Sequence, residues 1–290
     1  MESQKRGILF AFIAVFLWAT LGVGFKLAVS RLDSFVVTVY VGLFATLALL
    51  LNLVYRRKTE MLLNVFKKNW VFFILVGIIG LGIQQIVYLK AYQLLPASQV
   101  VVLFYLYPLL MVLLSSIFFR EKTSLVSYLF ILFGFTGVYI FISGGSLLNI
   151  QLSLGVIMTL LASLSWALFS VLIKHKKFDV DIGMFLFNLF GLLFLVALIP
   201  FFGFTFNLFT GEIICMIYLG IFPTALAFII WNKALHLTKT HICSNIALLT
   251  PLVSLILIVI ILKEKIILSQ IVGLVVIIGS VFLNLRYGKK

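Results

Sequence analysis

The sequence predicts an all-α polytopic membrane protein of ten transmembrane helices, arranged as two inverted five-helix repeats. Composition, the spacing of apolar runs and an internal repeat predict it. Of 290 residues, 64% are apolar, 10% are charged and only 8 are Asp or Glu. A soluble domain carries about a quarter charged residues. A soluble fold of this size would present a greasy, nearly uncharged surface. Secreted, disordered and coiled-coil classes fall for the same reason.

A spanning helix needs about 20 largely apolar residues. Ten runs qualify: 7–29, 35–55, 70–91, 98–119, 124–142, 153–173, 182–202, 213–233, 242–262 and 266–285. They are continuously apolar rather than alternating, which excludes the strands of a membrane barrel. Lys5 and Arg6 precede the first run as in a signal peptide. The run is too long and no small-residue cleavage site follows, so it reads as an uncleaved span. An even count puts both termini on one side. Sixteen Lys and Arg residues, among them Arg56, Lys58, Lys67 and Lys176, fall on that side, against Arg31, Lys263 and Lys265 on the other. The positive-inside bias makes the termini cytoplasmic, in a cell membrane. The formal charge of +14 is therefore topology and not a nucleic-acid patch, because the basic residues sit in short runs between apolar stretches. Cys215 and Cys243 form no CxxC pair.

The repeat is visible in scarce residue types. At an offset of 148, Gly7, Trp18 and Lys26 meet Gly155, Trp166 and Lys174. At an offset of 143, Lys90, Pro108 and Glu121 meet Lys233, Pro251 and Glu264. The halves are 1–148 and 149–290. An odd number of spans per half inverts the second against the first, an arrangement common in secondary transporters. A duplication without a transport role is the alternative, although enzymes and scaffolds gain nothing obvious from inversion.

Helix breakers fall at matching depths. Pro108 and Pro251 lie near the centres of spans four and nine. Pro223 lies in span eight, opposite Gly77, Gly80 and Gly82 in span three. A proline frees a backbone carbonyl, which in hydrocarbon must find a partner or line a wet cavity. Symmetric breakers point to a central site more than to ordinary packing. Trp18 and Trp166 sit at mid-span rather than in the interfacial belt, which leaves two readings: a packed core, or a cavity wall for an apolar or aromatic substrate. Thr20, Gln84, Gln85, Tyr88, Tyr105, Ser163, Thr224 and Asn245 lie near these features and complete the candidate cavity. For any one of them, hydrogen bonding between helices is the competing reading. Gln84 and Gln85 are adjacent, so at least one can face inward.

The segments YLKAYQLLPASQVVVLFYLYPLLMVLLSSIFFREK (88–122) and IIWNKALHLTKTHICSNIALLTPLVSLILIVIILKEK (229–265) resemble the EamA-type repeat of the drug/metabolite transporter superfamily. In that pattern a short turn leads into a span with a central proline, which closes on Glu and a basic residue. The resemblance covers both halves. It implies a secondary transporter of small metabolites, amino-acid-like and possibly aromatic, in the export direction, with nucleosides or other polar metabolites as alternatives. It implies a structural role for Glu121 and Glu264.

Lys26 and Lys90 fall at one interface and Lys233 at the other, where a lysine can snorkel; attracting a carboxylate or gating is the other reading. Glu121 and Glu264 are flanked by Arg120, Lys122, Lys263 and Lys265, which predicts salt-bridged helix ends. No Asp or Glu lies deep in a span, which argues against carboxylate-based proton coupling and cationic substrates. No HExxH, GxSxG or paired Asp is present, so no enzyme, metal site or cofactor is expected. The expected partners are a small-molecule substrate and the lipid bilayer, without nucleic acid; the oligomeric state stays open.

Overall fold

A computed structural model describes residues 2–120, 123–143, 152–238 and 240–287. Among these residues the regular structure is helical throughout. In chain order the helices are α1 (Glu2–Val29), α2 (Ser34–Tyr55), α3 (Thr59–Lys68), α4 (Trp70–Leu94), α5 (Ala97–Phe119), α6 (Leu125–Ile142), α7 (Leu154–Lys174), α8 (Val180–Phe202), α9 (Thr210–Leu237), α10 (Thr240–Ala247), α11 (Leu249–Leu262) and α12 (Leu268–Tyr287).

Nine of these, among the described residues, are long and apolar enough to cross a membrane. The sequence predicts ten. The difference is the run 242–262, which is divided at Leu248 into α10 and the shorter α11, just ahead of Pro251. Helix α3 has no apolar run to mark it, buries no residue and ends on Lys67 and Lys68.

Contacts exchange between the two halves. Helix α1 packs on α9 and α11, as α7 packs on α4 and α5. Helix α2 meets α8, and α6 meets α12. Small residues let these backbones approach. A Cβ on Gly137 would come 2.9 Å from Gly273 O, and one on Gly273 would come 2.8 Å from Gly137 O. Asn284 and Ser127 bridge the same pair of helices: Ser127 Oγ donates to Asn284 Oδ1 at 3.2 Å and Asn284 Nδ2 to Ser127 O at 3.3 Å. Large apolar side chains such as Leu51, Leu132 and Val275 stay exposed on the outside, where a bilayer would cover them.

Helices α4 and α9 are each wound as a π-helix partway along, over Ile78–Ile83 and Gly220–Leu226. These segments correspond at the repeat offset of 143. Such bulges concentrate at functional sites. Helix α5 is interrupted at Tyr105–Leu106, before Pro108.

Candidate functional site

Each of three prolines removes the N–H that a continuous helix would give to the carbonyl four residues back. The acceptors so affected are Phe104 O for Pro108, Leu219 O for Pro223 and Ala247 O for Pro251; at Leu219 the π winding of α9 brings in the Thr224 N–H, five residues on. Each also receives a hydroxyl. Ser163 Oγ donates to Phe104 O at 3.0 Å, Thr224 Oγ1 to Leu219 O at 2.7 Å, and Thr250 Oγ1 to Ala247 O at 2.8 Å. In the π segment of α4, Ser165 Oγ donates to Ile79 O at 2.9 Å. The breaks are thus satisfied inside the bundle, by Thr224 and Thr250 beside their own prolines and by Ser163 and Ser165 from α7, as a low-dielectric interior requires.

The broken helices surround a cavity of about 400 Å³, within the roughly 300–1,000 Å³ of small-molecule sites. One wall is a row of five rings from α9, α1 and α7. Trp231 and Trp18 have centroids 5.2 Å apart, Trp18 and Phe228 5.4 Å, Phe228 and Trp166 5.9 Å, and Trp166 and Phe169 5.3 Å. Gln84, Gln85, Asn188, Thr224 and Asn232 are among the polar side chains of the lining, with Ser170, Thr250, Ser254 and four tyrosines. Among the described residues, the lining contains no carboxylate, ammonium, guanidinium or imidazole.

The cavity is closed at one end and reaches the surface at the other. At the closed end, Phe25, Tyr88 and Tyr92 are 1%, 8% and 0% exposed. Their rings interlock with Phe104: Tyr88 lies 4.4 Å from Phe104, 5.1 Å from Tyr92 and 6.0 Å from Phe25. At the other end the lining runs out to Ile173, Leu235 and Val180, and Val180 is 41% exposed.

Two charged side chains grip the α4–α5 turn beyond the closed end. Lys26 Nζ donates to Tyr92 O at 2.8 Å and Leu95 O at 2.7 Å, the carbonyl end of α4. Glu264 accepts from Ala97 N at 2.7 Å, Ser98 N at 3.0 Å and Ser98 Oγ at 2.7 Å, the amide end of α5. Each charge opposes the partial charge of the helix end that it meets. At the far end of the molecule, Lys58 Nζ pairs with Asp179 at 2.7 Å and Asp181 at 2.6 Å, and Arg56 with Asp181 at 3.1 Å. Burial alone would lower the Lys58 ammonium, but its hydrogen bonds to the two carboxylates prevail and raise it above its ordinary value. Burial alone would raise the Asp179 carboxyl, but Lys58 and the amides of Ile182 and Asp181 prevail and lower it.

Of the residues that the sequence singles out, Trp18, Gln84, Gln85, Tyr88, Tyr105, Trp166, Thr224 and Pro223 line the cavity. Thr20 does not: its hydroxyl donates to Leu17 O at 2.7 Å and accepts from Tyr218 at 2.8 Å, which secures the kink between Ala19 and Leu21. Ser163 is fully buried on the Phe104 carbonyl. Gly80 packs beneath the Phe169 ring, which a Cβ would strike. Pro108 and Pro251 shape α5 and α11 without facing the cavity.

Lys26 does not snorkel, because two unpaired carbonyls lie within its reach. Glu264 caps α5 instead of pairing with Lys263 or Lys265. Lys90 bonds Gln93 Oε1 at 2.9 Å, and Lys233 is exposed. Glu121 lies outside the described residues, as does the side chain of Asn245. Sequence reasoning missed Trp231, Phe228 and Asn188. The available signal for the rings was their spacing of three on α9, which puts both on one helix face.

Apolar helices of spanning length built round a cavity of this size define a multi-pass membrane protein with room for a small molecule. The profile of the EamA-like transporter family matches residues 5–143 and again 153–286. The chain belongs to that family. An "Uncharacterized transporter in sor 3'region" of Acidianus ambivalens is 31% identical over 54% of this chain, a match spanning 61% of that protein's own length. An "Uncharacterized transporter" of Clostridium kluyveri is 25% identical over 99% of this chain and 95% of its own. "Uncharacterized transporter YxxF" of Bacillus subtilis is 28% identical over 69% of this chain and 66% of its own. A solved crystal structure is similar with a TM-score of 0.69 over 98% of this chain and 96% of the other, at 19% identity, a likeness of fold.

Proposed function

We propose that the protein is a secondary transporter that works by alternating access between two inverted five-helix repeats, 1–148 and 149–290. It sits in the cell membrane with both termini in the cytoplasm and exports a small aromatic metabolite. The observation that carries this reading is the cavity: walled by rings, sealed beyond Tyr88 and Tyr92, and continuous with the surface near Val180. With cytoplasmic termini the sealed end is extracellular and the open end cytoplasmic, so the site is poised to load from inside. An inverted partner half allows the opposite state at similar energy, because each half can adopt the shape that the other leaves.

The family resemblance favours an amino-acid-like substrate. The lack of charged side chains in the lining favours the second reading, a nucleoside or other uncharged metabolite. Flux and counterflow in proteoliposomes, over a panel of both, tests the proposal. Substrate on the far side should accelerate uptake, and Trp18→Ala should reduce flux while the protein still folds. Zero flux for every compound in correctly oriented protein would overturn transport. Labelling of Lys67→Cys from outside the cell alone would overturn the orientation.

A further inference from the structure

The chemistry of the cavity wall is narrower than its size requires. A buried carboxylate or ammonium without an opposite charge costs several kcal/mol. The wall offers neither sign of charge. Broken helices could have bound a cation through freed carbonyls. Here the three carbonyls four residues before the prolines already accept hydroxyls.

What remains for a ligand is aromatic surface with uncharged hydroxyl and amide groups, the amides of Gln84 and Gln85 among them. Gln84 is 2% exposed and stands one turn from Tyr88 at the sealed end. The Oε1 atoms of Gln84 and Gln85 are both buried without a hydrogen-bond partner. An unpartnered buried acceptor costs about 1–3 kcal/mol. A half-turn of a primary amide exchanges its oxygen for its NH2 in the same space. Each glutamine can therefore present an acceptor, a donor or both to the cavity. That pair is complementary to a ring edge carrying a donor beside an acceptor, the way a glutamine reads adenine. The Trp18–Phe228–Trp166 row supplies the stacking surface.

We propose that the cavity selects an uncharged, planar nitrogen heterocycle with an adjacent donor and acceptor on one edge, a nucleobase-like compound read by Gln84 and Gln85. This rests on the transporter reading and sharpens its substrate. Equilibrium titration of the purified full chain in nanodiscs tests it, with adenine, hypoxanthine, unsubstituted purine, phenylalanine and choline as probes.

Adenine or hypoxanthine should bind at least about tenfold tighter than purine, which lacks the exocyclic group, and tighter than the two charged compounds. Gln84→Leu should collapse the preference over purine while purine binding stays. If Gln84→Leu does not fold, Gln85→Leu carries the same expectation. Tighter binding of phenylalanine or choline, no binding of any heterocycle, or an unchanged preference in a folded variant would overturn the proposal. Heterocycle binding without flux would instead remove the transport reading and leave this specificity standing. Flux of phenylalanine or choline without competition by adenine would leave transport and remove the specificity.

Discussion

The two halves repeat in sequence but are held differently. The breaks of the second half are closed from within: Thr224 serves the carbonyl four residues before Pro223, and Thr250 the one four residues before Pro251. Those of the first half are closed from outside. Ser163 and Ser165, both on α7, serve Phe104 O and Ile79 O, and Glu264 caps α5. Every one of these three donors or acceptors belongs to the second half. Ile79 O keeps the Gln84 N–H of its own π segment, but Phe104 O and the amides of Ala97 and Ser98 keep these partners only while α7 and the end of α11 stay against them. A relative movement of the halves changes hydrogen bonding on the first side and leaves it intact on the second.

The largest expected effect comes from removing the borrowed cap. Glu264→Ala strips acceptors from Ala97 N, Ser98 N and Ser98 Oγ, at residues 0% and 2% exposed. Bonds to a charged group contribute about 1.5–3 kcal/mol each, so a loss of roughly 3 kcal/mol is expected after partial relaxation. Thermal unfolding in detergent measures it. Glu264→Gln keeps an acceptor without the charge and should recover part of the loss. A wild-type melting temperature in Glu264→Ala would remove the claim that the first half depends on this cap.

Next comes the borrowed hydroxyl. Ser163→Ala should cost about 1–3 kcal/mol by leaving Phe104 O without a partner in a dry interior. Pro108→Ala restores an N–H at residue 108, so in that background Ser163→Ala should cost clearly less. The cycle of four proteins, followed by denaturation, isolates the coupling. The same cycle with Thr250 and Pro251 should also couple, but between groups on one helix. Equal costs of Ser163→Ala in both backgrounds would show that Pro108 does not create the need for Ser163.

Much of this difference was legible in the sequence and part of it was not. Apolar length gave the spans, and scarce residues gave the repeat. Pro108, Pro223 and Pro251 each remove a helix N–H, so three carbonyls need another donor. Thr224 and Thr250 are chain neighbours of their prolines, so that pairing is a local pattern. Ser163 lies 55 residues from Pro108, and nothing in the spacing says that α7 faces α5. For the same reason Lys26 reads as a snorkelling lysine and Thr20 as a cavity residue. Depth in the membrane follows from counting along a helix, whereas the facing helix follows only from packing. Trp231, Phe228 and Asn188 escaped notice because their partners across the cavity are set by that packing.

The smallest expected effect lies at the far end of the molecule, where charged pairs join the halves beside the packed rings of Phe72, Phe73 and Phe178. Lys58 and Arg56 of the first half pair with Asp179 and Asp181 of the second. Lys58 and Asp179 are each 25% exposed at the side chain, and such pairs contribute about 0–1 kcal/mol. The lowered Asp179 carboxyl stabilises the fold above its ordinary value of 3.8, and the gain is lost as pH falls through the folded value below that. The raised Lys58 ammonium stabilises the fold below its ordinary value of 10.5, and the gain is lost as pH rises through the folded value above that. Lys58→Met should therefore lower the melting temperature slightly at neutral pH, with the difference from wild type shrinking at both extremes. A difference that persisted in strong acid would assign the effect to packing of the Lys58 stem.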